Sequence, residues 1–516
     1  MKTHSLSSSP DSRFSVDLLP EIKLLMPEFI RLIRTRLGIV VHDHQLMDVQ
    51  KIILHVCEDF SLTPAECLAQ LTTCRDDASV LEKLISGITI GETYFFRDRR
   101  QMELLQQVIL PGLIRSKREK GELSLRIWSA GCSSGEEIYT IAMLLYEMLP
   151  DISSWVLHLL GTDINTQMLK KAVSGRYGEW SMRSIPEKYK KNYFHAEKNT
   201  FTLLPVIRQM AEFSYLNLND DTWPSMLNGT NAEDLILCRN VLIYFNAEST
   251  GKLMKKMGSA LLEGGYLLLG ASDPVDIKTA DLIFHHTDGL LFSRPGPGQK
   301  RKAAPEKYIP PVQPKTLPVF SVYEKTADKK PLPPRVTLQH PDIDAVTKLR
   351  NAGHWQELLD LTDSTEKNPV KNAALVSARA AALTSLGKLE QAVEFCQKNL
   401  RIDPGNVDLR LMLSMALVEL SRVTEAETEL RKILFHDHQS VMGHWQLGML
   451  LLRNKKNDAG IKSLKNAALI AGSKKASDPV PDCPSLDYGH LSEMLARETE
   501  IYSSGMNGNE DKKEQE

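Results

Sequence analysis

Two hydrophobic periods divide the chain. Between residues 18 and 88 the apolar positions recur three and four apart. Leu24, Leu25, Phe29, Leu32, Ile33 and Leu37 share one helical face, and Ile52, Ile53 and Val56 mark a second helix. Thr63-Pro64 reads as a helix start, with Thr63 as N-cap and Pro64 in the first turn. These features predict a small all-α domain over 18–88. From 89 to 295 short apolar runs alternate with helical segments. Residues 125–130, 156–161, 235–238 and 266–270 predict buried strands, 138–148 a helix, and 290–293 a last edge strand. Apolar strands separated by helices predict an α/β domain whose parallel sheet is covered on both faces.

The pattern then stops. Ten prolines fall from Pro295 to Pro334, beside the basic run Lys300-Arg301-Lys302, so 296–341 is expected to be a semi-extended linker. Residues 342–472 repeat with a period of 34. Gly353, Gly387 and Ser421 form one column, and Leu358, Ala392, Ala426 and Gly460 a second. Ala380, Ser414 and Gly448 form a third small-residue column, and Leu383, Leu417 and Leu451 a large apolar one. Small residues at fixed crossing points let paired helices approach while leucines fill between them. This period resembles tetratricopeptide (TPR) repeats; a plain helical bundle is the alternative. The Ser-rich stretch 1–17 and the polar stretch 473–516 are expected to be disordered.

Composition narrows the class. A chain of 516 residues needs more than one core. The formal net charge of -2 implies no global attraction to nucleic acid or membrane. Seven scattered cysteines without C-x-x-C spacing or a Cys/His cluster point to a reducing compartment and to no metal site. The first residues lack a signal-peptide core, and no apolar run reaches the roughly 18 residues of a membrane span. A cytoplasmic protein without membrane insertion is expected.

Four segments carry candidate chemistry. Residues 128–139 (WSAGCSSGEEIY) run from a strand through a glycine turn into a helix. The turn is neither G-x-G-x-x-G nor a phosphate loop. Glu136 and Glu137 stand where a helix N-terminus would otherwise hold a phosphate, which favours a cationic ligand; dipole complementation is the plainer reading. Asp163 ends the next strand, 32 residues after Gly131, where a carboxylate can accept both hydroxyls of a ribose; capping the next helix is its alternative role. Residues 234–246 (DLILCRNVLIYFN) end an apolar strand in Arg239-Asn240, followed by Tyr244. Residues 91–97 (GETYFFR) precede the sheet, and by periodicity alone read as core beside a surface arginine.

Taken in order, T-x-F-F-R, W-S-A-x-x-S-x-G-E-E-x-Y, D-I-N-x-x-x-L-x-x-A-x-x-G-x-Y, C-R-N-V-x-I-Y-F and G-G-x-L-x-x-G-x-S resemble the CheR family of chemotaxis-receptor methyltransferases over about residues 20–295. A subset of that family carries C-terminal TPR units. The resemblance implies a class I, Rossmann-like S-adenosylmethionine methyltransferase domain that forms glutamyl methyl esters on the cytoplasmic helices of chemoreceptors. It implies cofactor contacts at Thr93, Arg97, Glu137, Asp163, Asn217, Leu218, Arg239 and Asn240, with Arg97 and Tyr244 nearest the chemistry. Gly91 departs from the asparagine of several members, and Ala130-Gly131-Cys132 from the usual alanine-rich turn. Arg31, Arg34 and Arg36 cluster on one helix; the resemblance raises them from a solvated face to an expected dock for acidic receptor helices. Residues 176–216 fall where members can hold a receptor-tethering β-subdomain, and the repeats are expected to bind a further protein partner through their concave surface.

A glutamate acceptor is already ionised at pH 7, so no general base is expected and catalysis rests on proximity and orientation. Arg97 is the candidate to orient the carboxylate, and Tyr244 to place a hydroxyl beside it. Two other classes compete: a non-catalytic TPR scaffold with a degenerate cofactor domain, and a methyltransferase for another carboxylate or a small molecule. A nicotinamide oxidoreductase is least favoured, because the dinucleotide glycine pattern is absent.

Overall fold

The structure, a computed structural model, describes residues 12–73, 78–89, 91–274, 282–287, 289–295, 343–351, 354–362, 373–480 and 483–504. Four helices come first: α1 (Ser12–Leu37), α2 (Leu46–Asp59), α3 (Pro64–Thr73) and α4 (Ala78–Ile88). The apolar stripe of α1 packs Ile22, Phe29 and Ile33 against Ile53 and Leu84. Thr63 and Glu66 close the start of α3 reciprocally: Glu66 N–H donates to Thr63 Oγ1 at 3.2 Å and Thr63 N–H to Glu66 Oε2 at 2.9 Å. Helix α1 reaches back to Ser12, into the stretch expected to be disordered; residues 1–11 lie outside the described ones.

The next unit carries α5 (Arg99–Leu104), α6 (Leu110–Lys120), β1 (Ser124–Ala130), α7 (Glu136–Met148), β2 (Val156–Asp163), α8 (Thr166–Ser174), β3 (Arg176–Gly178), α9 (Glu187–Tyr193), β4 (Phe194–Glu197), β5 (Thr200–Leu203), α10 (Pro205–Arg208), β6 (Ala211–Tyr215), β7 (Glu233–Cys238), α11 (Ala247–Ala260), β8 (Leu261–Leu269), β9 (Ile283–Thr287) and β10 (Gly289–Ser293). Seven strands form one sheet in the order β6-β2-β1-β7-β8-β10-β9. The first five are parallel, and every residue of β7 is buried, as a strand covered on both faces requires. Strand β10 runs antiparallel to both neighbours and so lies inside the sheet. Residues 290–293 were expected at the edge; β9 takes that place because the two strands form a hairpin that periodicity alone does not distinguish from a single strand. Strands β3, β5 and β4 make a separate antiparallel sheet. The strand order reverses between β1 and β7, which opens a crevice beyond their carboxyl ends.

The repeat region pairs α12 (Ile343–Asn351) with α13 (Trp355–Leu361), α14 (Ala373–Ser385) with α15 (Leu389–Leu400), α16 (Val407–Glu419) with α17 (Val423–His436), and α18 (Val441–Arg453) with α19 (Asn457–Ser473). The Ala392 and Gly448 columns sit at helix crossings, whereas Gly387 (φ +71°) and Ser421 (φ +54°) stand in the turns between paired helices. Ala392 and Ala426 are fully buried, and a Cβ on Gly448 would stand 2.9 Å from the Leu464 side chain. Gly353 and the 296–341 stretch lie outside the described residues.

The expected disorder beyond 472 does not hold over the described part of 473–504, and residues 505–516 lie outside the described ones. The 473–504 stretch contains the short strands β11 (Pro479–Val480) and β12 (Cys483–Asp487) and then α20 (Tyr488–Ser504). Leu491, Leu495 and Ile501 are buried, as are Arg497 and Glu498. The polar composition conceals a helix that packs on another domain, which supplies hydrogen bonds to part of its polar groups. Tyr502 Oη donates to the carbonyl of Phe213 at 2.8 Å, and Tyr215 N–H donates to Glu498 Oε1 at 3.1 Å. The repeats are seated on the sheet domain as well. Arg126 of β1 pairs with Glu419 of α16, Arg453 of α18 with Glu212 of β6 at 2.7 Å, and Gln446 Nε2 donates to the carbonyl of Leu227 at 3.2 Å. No helix among the described residues is long and apolar enough to cross a membrane.

Candidate active site

A cleft opens at the reversal of strand order. Thr93, Arg97, Glu137, Asp163, Asn217, Leu218, Arg239, Asn240 and Tyr244 all line it, together with Leu37 and Ile39 from the end of α1. Residues separated by more than 140 positions therefore meet in one place.

The floor is the turn after β1. Gly131 has φ +78°, and a Cβ there would stand 2.5 Å from Val241 Cγ2. Only a glycine lets the turn pass under the segment that follows β7. Gly135, at φ +87°, precedes α7, and the ring of Phe213 fills the space its Cβ would need. The two glutamates at the start of α7 then part company. Glu136 is fully buried and accepts hydrogen bonds from Ser134 Oγ at 2.7 Å and Ser181 Oγ at 2.8 Å, so it is no cleft residue. Glu137 faces the cleft, accepting from Ser129 Oγ at 2.7 Å and pairing with Arg239 Nη1 at 2.9 Å.

Asp163 ends β2 half-buried. Its Oδ2 accepts from Ser133 N–H and its Oδ1 from Asn165 N–H, each at 2.8 Å. Burial pushes its pKa above the usual carboxylate value, opposed by the backbone N–H groups of Asn165, Ser133 and Ile164. The adjacent Cys132 thiol is pushed well up by burial, reinforced by the Asp163 and Glu137 charges, so it remains a neutral thiol.

Arg239 spends its guanidinium on the protein. Nε donates to Gln101 Oε1 at 2.6 Å, Nη1 to Glu137 and Nη2 to the carbonyl of Arg97 at 2.6 Å. It thereby joins β7, α5, α7 and the 91–97 segment. Asn240 adopts φ +60°, a conformation uncommon for a side-chain-bearing residue, and its N–H donates to Asp273 Oδ2 at 2.8 Å. The Asn217 amide is likewise engaged: its Nδ2 donates to the carbonyl of Arg36 at 2.8 Å and to Asp220 Oδ1 at 2.9 Å. It clips the end of α1 to the segment after β6.

Arg97 Nη1 donates to the carbonyl of Glu92 at 2.7 Å, and the guanidinium lies 5.8 Å from the Tyr94 ring centre. The Tyr244 phenol is pushed up by burial and drawn partly back by the Arg97 charge, so it stays protonated at neutral pH. The backbone of Tyr244 is fixed to the helical domain, its carbonyl accepting from Val40 N–H at 2.8 Å.

The three arginines of α1 divide. Arg31 and Arg34 are exposed, whereas Arg36 donates from Nη1 to the Leu71 carbonyl at the end of α3 at 2.8 Å. A charge at a helix C-terminus is stabilising, and Arg36 is thereby drawn out of the exposed basic cluster. None of the three lines the cleft.

Two site residues escaped the sequence reading. Gln101 is fully buried, accepts from Arg239 and donates to the Leu269 carbonyl at 2.7 Å. Its polar neighbours Arg99 and Arg100 give no hint of that burial. Asp273 accepts from Asn240 N–H and Gly270 N–H, each at 2.8 Å, and burial raises its pKa. It directly follows the G-x-S motif, the one signal that points to it.

The donor set fits S-adenosylmethionine. Glycine leaves the turn open, a carboxylate ends β2, a second carboxylate faces the cleft from α7, and no phosphate loop is present. Residues 91–288 match the family described as CheR methyltransferase, SAM binding domain, and residues 383–444 match the tetratricopeptide repeat family. A chemotaxis protein methyltransferase of Listeria monocytogenes is 31% identical over 259 residues, half of this chain and 93% of that protein. One from Borreliella burgdorferi is 36% identical over 197 residues, 38% of this chain and 68% of that protein. Chemotaxis protein methyltransferase 1 of Pseudomonas aeruginosa is 36% identical over 201 residues, covering 38% and 70%.

Proposed function

Because the chain belongs to the family of chemotaxis protein methyltransferases and is an S-adenosylmethionine-dependent methyltransferase, we propose that it methylates glutamate side chains on the cytoplasmic helices of chemoreceptors. The reading rests on one observation: Arg97 and Tyr244 line the same cleft as Asp163 and Glu137. When bound, the cofactor supplies an electrophilic methyl group on a sulfonium.

Asp163 holds the ribose, its carboxylate pre-aimed by the Ser133 and Asn165 N–H groups. Glu137, Thr93, Leu218 and Asn240 form the remaining wall. Arg239 and Asn217, whose polar atoms are committed to protein partners, act by holding that wall in place. Arg97 orients the acceptor carboxylate through its planar fork, and Tyr244 places its protonated hydroxyl beside the reacting oxygens. The acceptor is ionised at neutral pH, so no residue need remove a proton. Orientation of this kind is worth about 7–11 kcal/mol of a barrier.

Arg31 and Arg34 are the docking charges for an acidic acceptor helix. The repeats are a protein-interaction module. Since α16 and α18 already face the sheet domain, a partner protein is received on their remaining surfaces.

Calorimetric titration with S-adenosylhomocysteine, on the wild type and on Asp163→Ala, tests the cofactor assignment. Transfer of labelled methyl to a chemoreceptor cytoplasmic fragment tests the acceptor. Binding without transfer to any glutamate of that fragment would move the reading to another carboxylate substrate.

A further inference from the structure

Four side chains form a ladder that climbs from the cleft to the surface. Arg97, in the cleft, lies 5.8 Å from the centre of the Tyr94 ring. On the same ring stacks Arg183, its Cζ 3.4 Å from the ring centre. Arg183 in turn lies 3.9 Å from the ring centre of Trp180. Its Nη1 donates to the Trp180 carbonyl at 2.7 Å and its Nη2 to Glu92 Oε1 at 3.0 Å. Each guanidinium is thus fixed by hydrogen bonds as well as by an aromatic face. Trp180 is the outermost rung and is 65% exposed.

A tryptophan this exposed stands apart in a domain whose other tryptophans, Trp128, Trp155 and Trp223, are buried. Its outer surface is apolar, and the Arg183 bond to its carbonyl limits its freedom before anything binds. Rigid Trp and Arg side chains are the residue types that dominate protein–protein recognition, and prior rigidity lowers the entropic cost of binding. The ladder is continuous with the cleft, since Glu92, Tyr94 and Arg97 line it. A carboxylate that reaches Arg97 while still attached to a folded helix must bring the neighbouring turns of that helix over this rim.

We propose that Trp180, held by Arg183 and Tyr94, is the acceptor-recognition residue of the cleft: it packs on the helix that carries the target glutamate. This rests on the glutamate-acceptor reading. Trp180 contacts substrate polypeptide and not the reacting atoms, so its contribution falls on acceptor binding. Arg183 is a positioning residue that fixes both Trp180 and, through Tyr94, the approach to Arg97.

The test uses the full chain, labelled S-adenosylmethionine and the cytoplasmic fragment of a chemoreceptor with glutamates at its methylation positions. Trp180→Ala is expected to raise the acceptor KM about tenfold, leaving kcat and S-adenosylhomocysteine affinity within twofold of the wild type. Trp180→Phe retains most of the acceptor affinity. Arg183→Ala raises KM and also lowers kcat, because it loosens Tyr94. An acceptor KM for Trp180→Ala within twofold of the wild type overturns the rim assignment while leaving the glutamate reading intact. A wild-type chain that binds S-adenosylhomocysteine but methylates no residue of the fragment overturns the acceptor reading, and the rim with it.

Discussion

Tyr215 N–H, at the end of strand β6, donates to the buried Oε1 of Glu498 at 3.1 Å, joining the last described helix to the strand that pairs with Asp163. Ser214 Oγ donates to the same oxygen, and Glu498 Oε2 has no hydrogen-bond partner. Burial pushes the carboxyl up to about 7, and the two donors offset only part of that. A carboxyl raised above its unfolded value near 4.3 stabilises the fold fully below that value, and the contribution is lost as pH rises through about 7. Between pH 6 and 8 this costs about 1 kcal/mol. Glu498→Gln mimics the protonated form, so its thermal midpoint should gain about 2 °C on the wild type over that interval. Midpoints that move in parallel would show that Glu498 does not titrate on the fold.

Arg239 is expected to be intolerant of its usual replacement. Three donors in fixed directions meet Gln101, Glu137 and the Arg97 carbonyl. Lysine supplies one ammonium that cannot span them. Arg239→Lys should weaken S-adenosylhomocysteine binding by at least about tenfold with the fold retained, since Glu137 and the 91–97 segment both lose their anchor. Calorimetry with a circular-dichroism control measures it. Unchanged affinity would remove Arg239 from the cofactor wall.

At Gly131 two penalties add. The backbone lies at φ +78°, and a Cβ meets Val241 Cγ2 at 2.5 Å. Gly131→Ala should cost about 2–3 kcal/mol of stability. Adding Val241→Ala relieves the clash but not the backbone strain, so the double variant should recover part of the loss. Thermal melts of the four-member cycle give the coupling. A purely additive cycle would mean that the two side chains do not meet.

Much of this site was legible because its residues sit at the ends of apolar strands. Asp163 and Arg239 each stand at the end of a continuous apolar run, the mark of a strand covered on both faces, and the reversal of strand order brings those ends together. Gln101 was not legible, since its burial depends on Arg239 and Leu269, far away in sequence, whereas Asp273 had only the adjacent G-x-S motif to mark it. Helix α20 was missed for a related reason. Arg497 and Glu498 read as surface charges, yet Arg497 packs 4.0 Å from the Tyr215 ring centre and beside Glu82 of the helical domain. Arg36 shows the converse: it resembles its exposed neighbours Arg31 and Arg34 in sequence, and only the approach of α3 gives it an internal partner. Periodicity reports the apolar face of an element; it does not report which charges a neighbouring domain will satisfy.

The chemistry itself predicts a division between binding and turnover. Arg97 is held by the Glu92 carbonyl and the Tyr94 ring, leaving the rest of its fork toward the cleft. Tyr244 is kept protonated by burial. Arg97→Ala should lower kcat about 100-fold, and Arg97→Lys should restore little of it, because a point charge does not orient a carboxylate. Tyr244→Phe should lower kcat about tenfold with cofactor affinity nearly unchanged, as expected for a hydroxyl whose contact is made in the transition state. With an acceptor already ionised and a neutral phenol, kcat should be flat from about pH 6 to 9. Single-turnover rates across that range decide the matter. A bell-shaped profile would require a titrating base that the proposed chemistry does not use, and wild-type turnover in either variant would displace that residue from the reacting centre.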